Sequence, residues 1–119
     1  MQQVRRTLSI KPRSDAEEAD PADLLRRAIT RRLCATATYN KTKVKFAPHI
    51  LYTRHEDPFV DAQVIDRDGK PPREVKLGVF KVAGLKDVQL TDTPFLPLPD
   101  FDANGPLYEG TTIQVVRVG

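Results

Sequence analysis

The spacing of apolar residues changes along the chain. Leu24, Leu25, Ala28 and Ile29, extended by Leu33, recur at helical intervals. Asp20 is placed to cap such a helix, Pro21 suits its first turn, and Asp23 stands at the far side of a capping box. Arg26, Arg27 and Arg31 lie off the stripe, and Arg32 interrupts it, so the helix spans about 20–33 and ends or turns there. Beyond Leu33 the period falls to two. ATATYN (35–40), KTKVKFA (41–47), HILYTRH (49–55), FVDAQVID (59–66), REVKLGVFKV (73–82) and LKDVQL (85–90) read as short strands. Asn40-Lys41, HEDP (55–58), RDGKPP (67–72) and Ala83-Gly84 read as the turns between them, and Gly78 as a break or bulge. One helix followed by several short strands predicts an α+β fold, a strongly curved antiparallel sheet or barrel with a helix at its entrance.

The two ends are less regular. Val4, Leu8 and Ile10 alternate weakly before Pro12, which fits an edge strand or a frayed tail, and residues 12–19 read as a linker. TPFLPLPDFDANGP (93–106) is too rich in proline for a central strand. TTIQVVRV (111–118) reads as a terminal strand that pairs with the N-terminal strand or with another chain. The expected organisation is a tail and linker (1–19), a helix with a small sheet or barrel (20–92), and a proline-rich arm with a terminal strand (93–119).

Composition narrows the class. The chain has 119 residues, of which 39% are hydrophobic and 29% charged, in the range of one globular domain. No apolar run reaches the 18 or so residues of a membrane-spanning helix, and MQQVRRTLSIKP lacks the apolar core of a signal peptide. A cytoplasmic location is the expectation, and the single Cys34 agrees with it, since a lone cysteine makes no internal disulfide.

Charge is unevenly spread. Residues 24–55 hold eight basic residues, both histidines and no acid, while residues 15–23 hold five acids and no base. A localised basic face is therefore expected within a net charge of only +3. In KTKVKF (41–46), strand alternation sends Lys41, Lys43 and Lys45 to one side and Thr42, Val44 and Phe46 to the other. If neighbouring strands add Arg54, Arg73 and Lys76, the face becomes a candidate for phosphate contacts; if not, the lysines are the solvated side of a strand. With Val60, Ala62 and Val64 inward, Phe59 falls on the opposite side. With Val75, Leu77 and Val79 inward, so does Phe80. Tyr39 and Tyr52 are the further stacking candidates, because rings beside lysines make a platform for bases. The competing reading is that the helix or the proline-rich arm covers these rings as a second core.

Catalysis is not expected. The two serines, Ser9 and Ser14, lie near the N-terminus, and the six glycines are scattered and form no phosphate loop. His49, His55 and Cys34 are too few and too far apart for a metal site. No cofactor is implied.

LLRRAITRRL (24–33) with Tyr39, PHILYTR (48–54), PFVDA (58–62) and REVKLGVF (73–80), in that order, resemble the WYL domain, a small SH3/Sm-like β-barrel of bacterial transcriptional regulators. Pro58, Phe59 and Val60 stand where that family writes Trp-Tyr-Leu. The resemblance covers about residues 24–92. It implies a non-enzymatic regulatory or sensor module that binds nucleic acid or a nucleotide-like ligand, with Tyr39, Lys41, Lys43, Lys45, Tyr52, Arg54, Phe59, Arg73 and Lys76 as the candidate face. The alternative is a protein-interaction or oligomerisation module that uses PFLPLPDF (94–101) and TIQVVRV (112–118).

Overall fold

A computed structural model describes residues 20–117. The expected N-terminal strand and linker lie outside the described residues. The elements are helix α1 (Pro21–Arg31) and strands β1 (Leu33–Tyr39), β2 (Thr42–Arg54), β3 (Asp57–Arg67), β4 (Leu77–Lys81), β5 (Lys86–Pro94) and β6 (Thr112–Val115). Short 3-10 turns at Val82–Gly84 and Pro106–Tyr108 complete the chain. Among the described residues the fold is α+β, one helix followed by a six-stranded antiparallel sheet.

Local chemistry accounts for α1. The Asp20 carboxylate accepts the Ala22 N–H at 3.1 Å, and Pro21 needs no partner in the first turn. Arg32 closes the helix in the left-handed region (φ 55°), and its N–H is shared between the Ala28 and Ile29 carbonyls. Leu25, Ala28 and Ile29 are fully buried, while Asp23, Arg26, Arg27, Thr30 and Arg31 stay exposed. Burying Leu25 and Ile29 is worth about 1.5–3 kcal/mol each.

The sheet order is β4-β3-β2-β1-β5, with β6 paired to β2. β2 organises it. β3 runs along one edge of β2 from Val44 to Arg54. The other edge is shared: β1 pairs with residues 42–46 and β6 with residues 50–52. Pro48 and His49 stand at the junction. Pro48 faces Ala62 and Ile50 faces Asp61, so His49 opposes no residue of β3. This bulge is where a sheet tolerates proline. The segments expected on either side of Pro48 are therefore one 13-residue strand.

Three hairpin turns carry two consecutive residues at positive φ: Asn40-Lys41 (50°, 66°), His55-Glu56 (50°, 70°) and Asp68-Gly69 (50°, 84°). These dihedrals match the right-handed twist of the flanking strands. Only the third uses glycine.

The sheet is strongly curved. Five flat strands would put β4 and β5 about 19 Å apart, at about 4.8 Å per neighbour. The link from Lys81 to Lys86 has four residues, three of them in a 3-10 turn. Such a link reaches about 14 Å. The sheet must curl to bring its edges within that reach. No β4–β5 pairing joins the edges among the described residues.

The concave side holds the main core: Ala35, Ala37, Val44, Phe46, Leu51, Val60, Ala62, Val64 and Phe80, closed by Leu25, Ala28 and Ile29. The phase expected for β4 is reversed. Phe80 is 3% exposed and stacks on Phe46 with centroids 5.8 Å apart, whereas Val79 is 49% and Val75 68% exposed. Val75 belongs to no strand, because β4 begins only at Leu77. The arm and β6 fold back onto this same sheet, and β5 runs through residue 92, so 20–92 is not a separate unit. Among the described residues β6 pairs with β2.

Candidate functional site

The convex face of the sheet has two halves. In one, Lys43 and Lys45 alternate with buried Val44 and Phe46. Thr38 lies directly across from Lys43, and Thr36 from Lys45. On the far side of β1, Thr38 meets Lys86 and Thr36 meets Gln89. Paired residues share a face. Lys43, Lys45 and Lys86 therefore flank a threonine strip, with β2 and β5 about 10 Å apart. Lys45 Nζ donates to Thr93 Oγ1 at 2.9 Å, which fixes its direction across the strip. Asp66 stands opposite Lys45 on the β3 side. Asp68 accepts the Lys43 N–H at 3.0 Å and donates its own N–H to the Lys43 carbonyl at 2.7 Å, tying the β3 turn to β2. Lys41 does not share the lysine face by alternation. It sits in the left-handed turn before β2.

The other half is sealed. Tyr52 is fully buried, packs edge-on against Tyr108 and stacks on Phe59 at 6.2 Å. Arg54 lies over the Phe59 ring, 5.4 Å from its centroid. Phe101, Tyr108 and Val115, from the arm and β6, cover Ile50, Tyr52 and Phe59. The second-core reading of these rings thus holds. Tyr52 presents no face to a base, and Phe59 is half-buried between Tyr52 and Arg54. Tyr39 belongs to the opposite side, edge-on to Phe80 at 5.1 Å. The expected stacking platform is not assembled.

Two polar groups lie within the sealed half. Asp61, 4% exposed, accepts from the Tyr52 hydroxyl at 2.7 Å and the Tyr108 hydroxyl at 2.5 Å, one on each carboxylate oxygen. Burial, then the neighbouring carboxylate, pushes both phenols well above their ordinary range. His49 is fully buried between Phe95 (centroids 5.3 Å) and Phe101 (5.2 Å). Its Nδ1–H donates to the Ala47 carbonyl and its Nε2 accepts the Leu98 N–H, each at 2.9 Å. This tautomer satisfies both nitrogens only while the ring is neutral. Burial lowers its pKa, against the opposing pull of the Ala47 carbonyl and Asp61. Sequence reasoning left His49 with a generic role, because its partner in the arm is 49 residues away. His55, by contrast, lies in a turn. Cys34 is buried, and burial pushes its thiol up, with Lys45 pulling the other way.

Arg73 and Lys76 are in neither half. They belong to the loop before β4 and, with Arg67, surround a groove of about 390 Å³ on the core side of the β3–β4 edge, with Val64, Pro72 and Gly78 beneath. Glu74 is its one acid, 3.3 Å from Lys76 Nζ in an exposed pair. The nine expected residues thus divide among the hairpin end, the sealed half, the main core and this groove. Lys86, Thr36, Thr38 and Gln89, which complete the open half, were not singled out from the sequence; their signal was β5 pairing with β1, a non-local contact.

No protein-family model, curated protein or solved structure matches the chain. No described helix is long and apolar enough to cross a membrane.

Proposed function

We propose that the chain is a non-enzymatic binding module for nucleic acid or a nucleotide-like polyanion, and that it binds on the open half of the convex face. One observation carries this reading: Lys43, Lys45 and Lys86 flank the Thr36–Thr38 strip on the half of the face that the arm leaves uncovered. The lysines supply salt-dependent attraction to phosphates, and the threonine hydroxyls add short-range hydrogen bonds. Lys41, at the tip of the same hairpin, extends the positive edge. Base stacking is not part of the proposal, since the candidate rings are packed inside the protein. The resemblance to regulatory WYL domains points the same way.

A second reading is favoured by the groove under Arg67, Arg73 and Lys76, where three cations and one acid stand over an apolar floor. It suits a small anion with an apolar body.

The test is titration of fluorescent single- and double-stranded oligonucleotides at about 50 and 200 mM salt. The polyanion reading expects micromolar or tighter binding that falls steeply with salt. It also expects loss of binding on replacing Lys43, Lys45 and Lys86 with Gln, and little change on replacing Arg67, Arg73 and Lys76. The reverse pattern transfers binding to the groove. No binding at the lower salt overturns the polyanion reading.

A further inference from the structure

One of the arm's attachments is a contact that a single proton can break. Residues 95–111 return across the convex face between β5 and β6; backbone bonds hold their two ends, from the Phe95 N–H to the Arg32 carbonyl (2.9 Å) and from the Thr53 N–H to the Thr111 carbonyl (3.0 Å), and side chains hold them at two points between. At one, Tyr108 donates to Asp61. At the other, Leu98 donates its backbone N–H to His49 Nε2, and Phe95 and Phe101 flank the ring. A proton on Nε2 would set an N–H donor against the Leu98 N–H and place a charge between two phenyl rings, with Nδ1 already committed to Ala47. We infer that His49 is the catch of a pH-sensitive latch: its protonation releases the 95–101 segment and uncovers the part of the Ile50, Tyr52 and Phe59 surface that Phe101 covers, beside the lysine-bearing half.

The groups facing the ring decide the direction. From β2 comes the Ala47 carbonyl; from the arm, the Leu98 N–H and the two rings. From β3 comes Asp61, the charged group whose field reaches it. Asp61 favours the imidazolium, but both of its oxygens are held by Tyr52 and Tyr108. Burial is the larger influence, so the docked ring stays neutral where an exposed histidine would be charged. Release is therefore linked to uptake of one proton. At pH 5.5, one unit below the ordinary histidine value, the opening equilibrium rises by up to about tenfold over its value at pH 7.5.

Residue-resolved amide hydrogen exchange of the whole protein tests this. After correction for intrinsic rates, Leu98 and Phe101 should exchange up to about tenfold faster at pH 5.5 than at pH 7.5, and should be less protected than the β1–β3 amides at both. In His49→Gln the side-chain carbonyl can accept the Leu98 N–H without titrating, and the pH effect on the arm should vanish. Arm exchange that does not respond to pH in the wild type overturns the latch. So does arm protection equal to that of the β1–β3 amides at both pH values, which would mean that the arm opens only with global unfolding. If His49→Gln does not fold, the wild-type imidazole nitrogen shifts decide. Titration of His49 near its ordinary value with no change at Leu98 overturns the proposal.

Discussion

His49 and Phe101 lie 52 positions apart in sequence, yet their rings meet edge to face with centroids 5.2 Å apart, and the histidine is fully buried. This contact fixes the proline-rich arm to the sheet and gives stability a defined pH dependence. In the folded protein His49 has a lowered pKa, whereas the unfolded ring titrates near 6.5. The unfolded state therefore binds more protons once the pH falls below that value. The contribution of neutral His49 is fully present above about pH 6.5 and is lost as the pH drops from there towards the lower folded value. Within that window stability should fall by up to about 1.4 kcal/mol per pH unit, measurable by urea unfolding. A flat profile between pH 7 and 5 would contradict the buried neutral ring.

Tyr108→Phe should cost about 1.5–3 kcal/mol, because it leaves one oxygen of the buried Asp61 without its donor. The loss should appear as a lower urea midpoint with an unchanged m-value. The same site sets an alkaline limit. The folded pKa values of Tyr52 and Tyr108 lie above the unfolded value near 10, so their contribution is complete below pH 10 and is lost as pH rises beyond it. Phenolate absorbance should show both tyrosines resisting ionisation until the protein unfolds.

Phe80→Ala should destabilise by about 3–5 kcal/mol, since the ring fills the core between Tyr39 and Phe46. Val79→Ala, on the exposed neighbour, should cost less than about 1 kcal/mol by the same unfolding assay. Equal losses would mean that the phase of β4 is not as described.

Lys41→Gly separates stability from binding. Lys41 holds φ 66°, a conformation that disfavours residues with a Cβ by about 1–2 kcal/mol. Glycine should raise stability by roughly 0.5–1 kcal/mol, part of the relief being offset by its freer unfolded chain. If Lys41 adds to the positive edge, the variant should also bind oligonucleotides more weakly, with a salt slope lower by about 1. A more stable variant with unchanged binding would confine the contacts to Lys43, Lys45 and Lys86.

Much of this architecture is legible in the sequence because its signals are local. Asp20-Pro21 announces α1, and the stripe from Leu24 to Ile29 sets its buried side. Asp68-Gly69 announces a hairpin. Val60, Ala62 and Val64 alternate inward as their spacing requires. The failures fall where distant contacts decide. Asn40-Lys41 and His55-Glu56 read correctly as turns, but that they adopt the hairpin conformation without glycine is imposed by the paired strands. Val75, Leu77 and Val79 mimic an inward phase, but Phe80 is the residue that meets Phe46 and Tyr39. The lysine face and the arginine groove draw on β5 and on the loop before β4, so alternation within KTKVKF could foretell Lys43 and Lys45 but not their neighbours.

The bulge at His49 has a consequence for how β2 is built. Pro48 faces the core and Leu51 faces the core; Ile50 and Tyr52 face the arm. Removing His49 would leave that order untouched, since Pro48, Ile50, Leu51 and Tyr52 already alternate without it. The strand therefore carries one residue more than its ladder with β3 uses. Strand formation does not require an imidazole at this position, although the His49 carbonyl accepts the Val116 N–H at 2.8 Å. What requires it is the arm. His49 is a surplus member of the β2–β3 ladder, and a chain shortened by that one residue should keep those two strands in frame while losing the imidazole that holds Leu98.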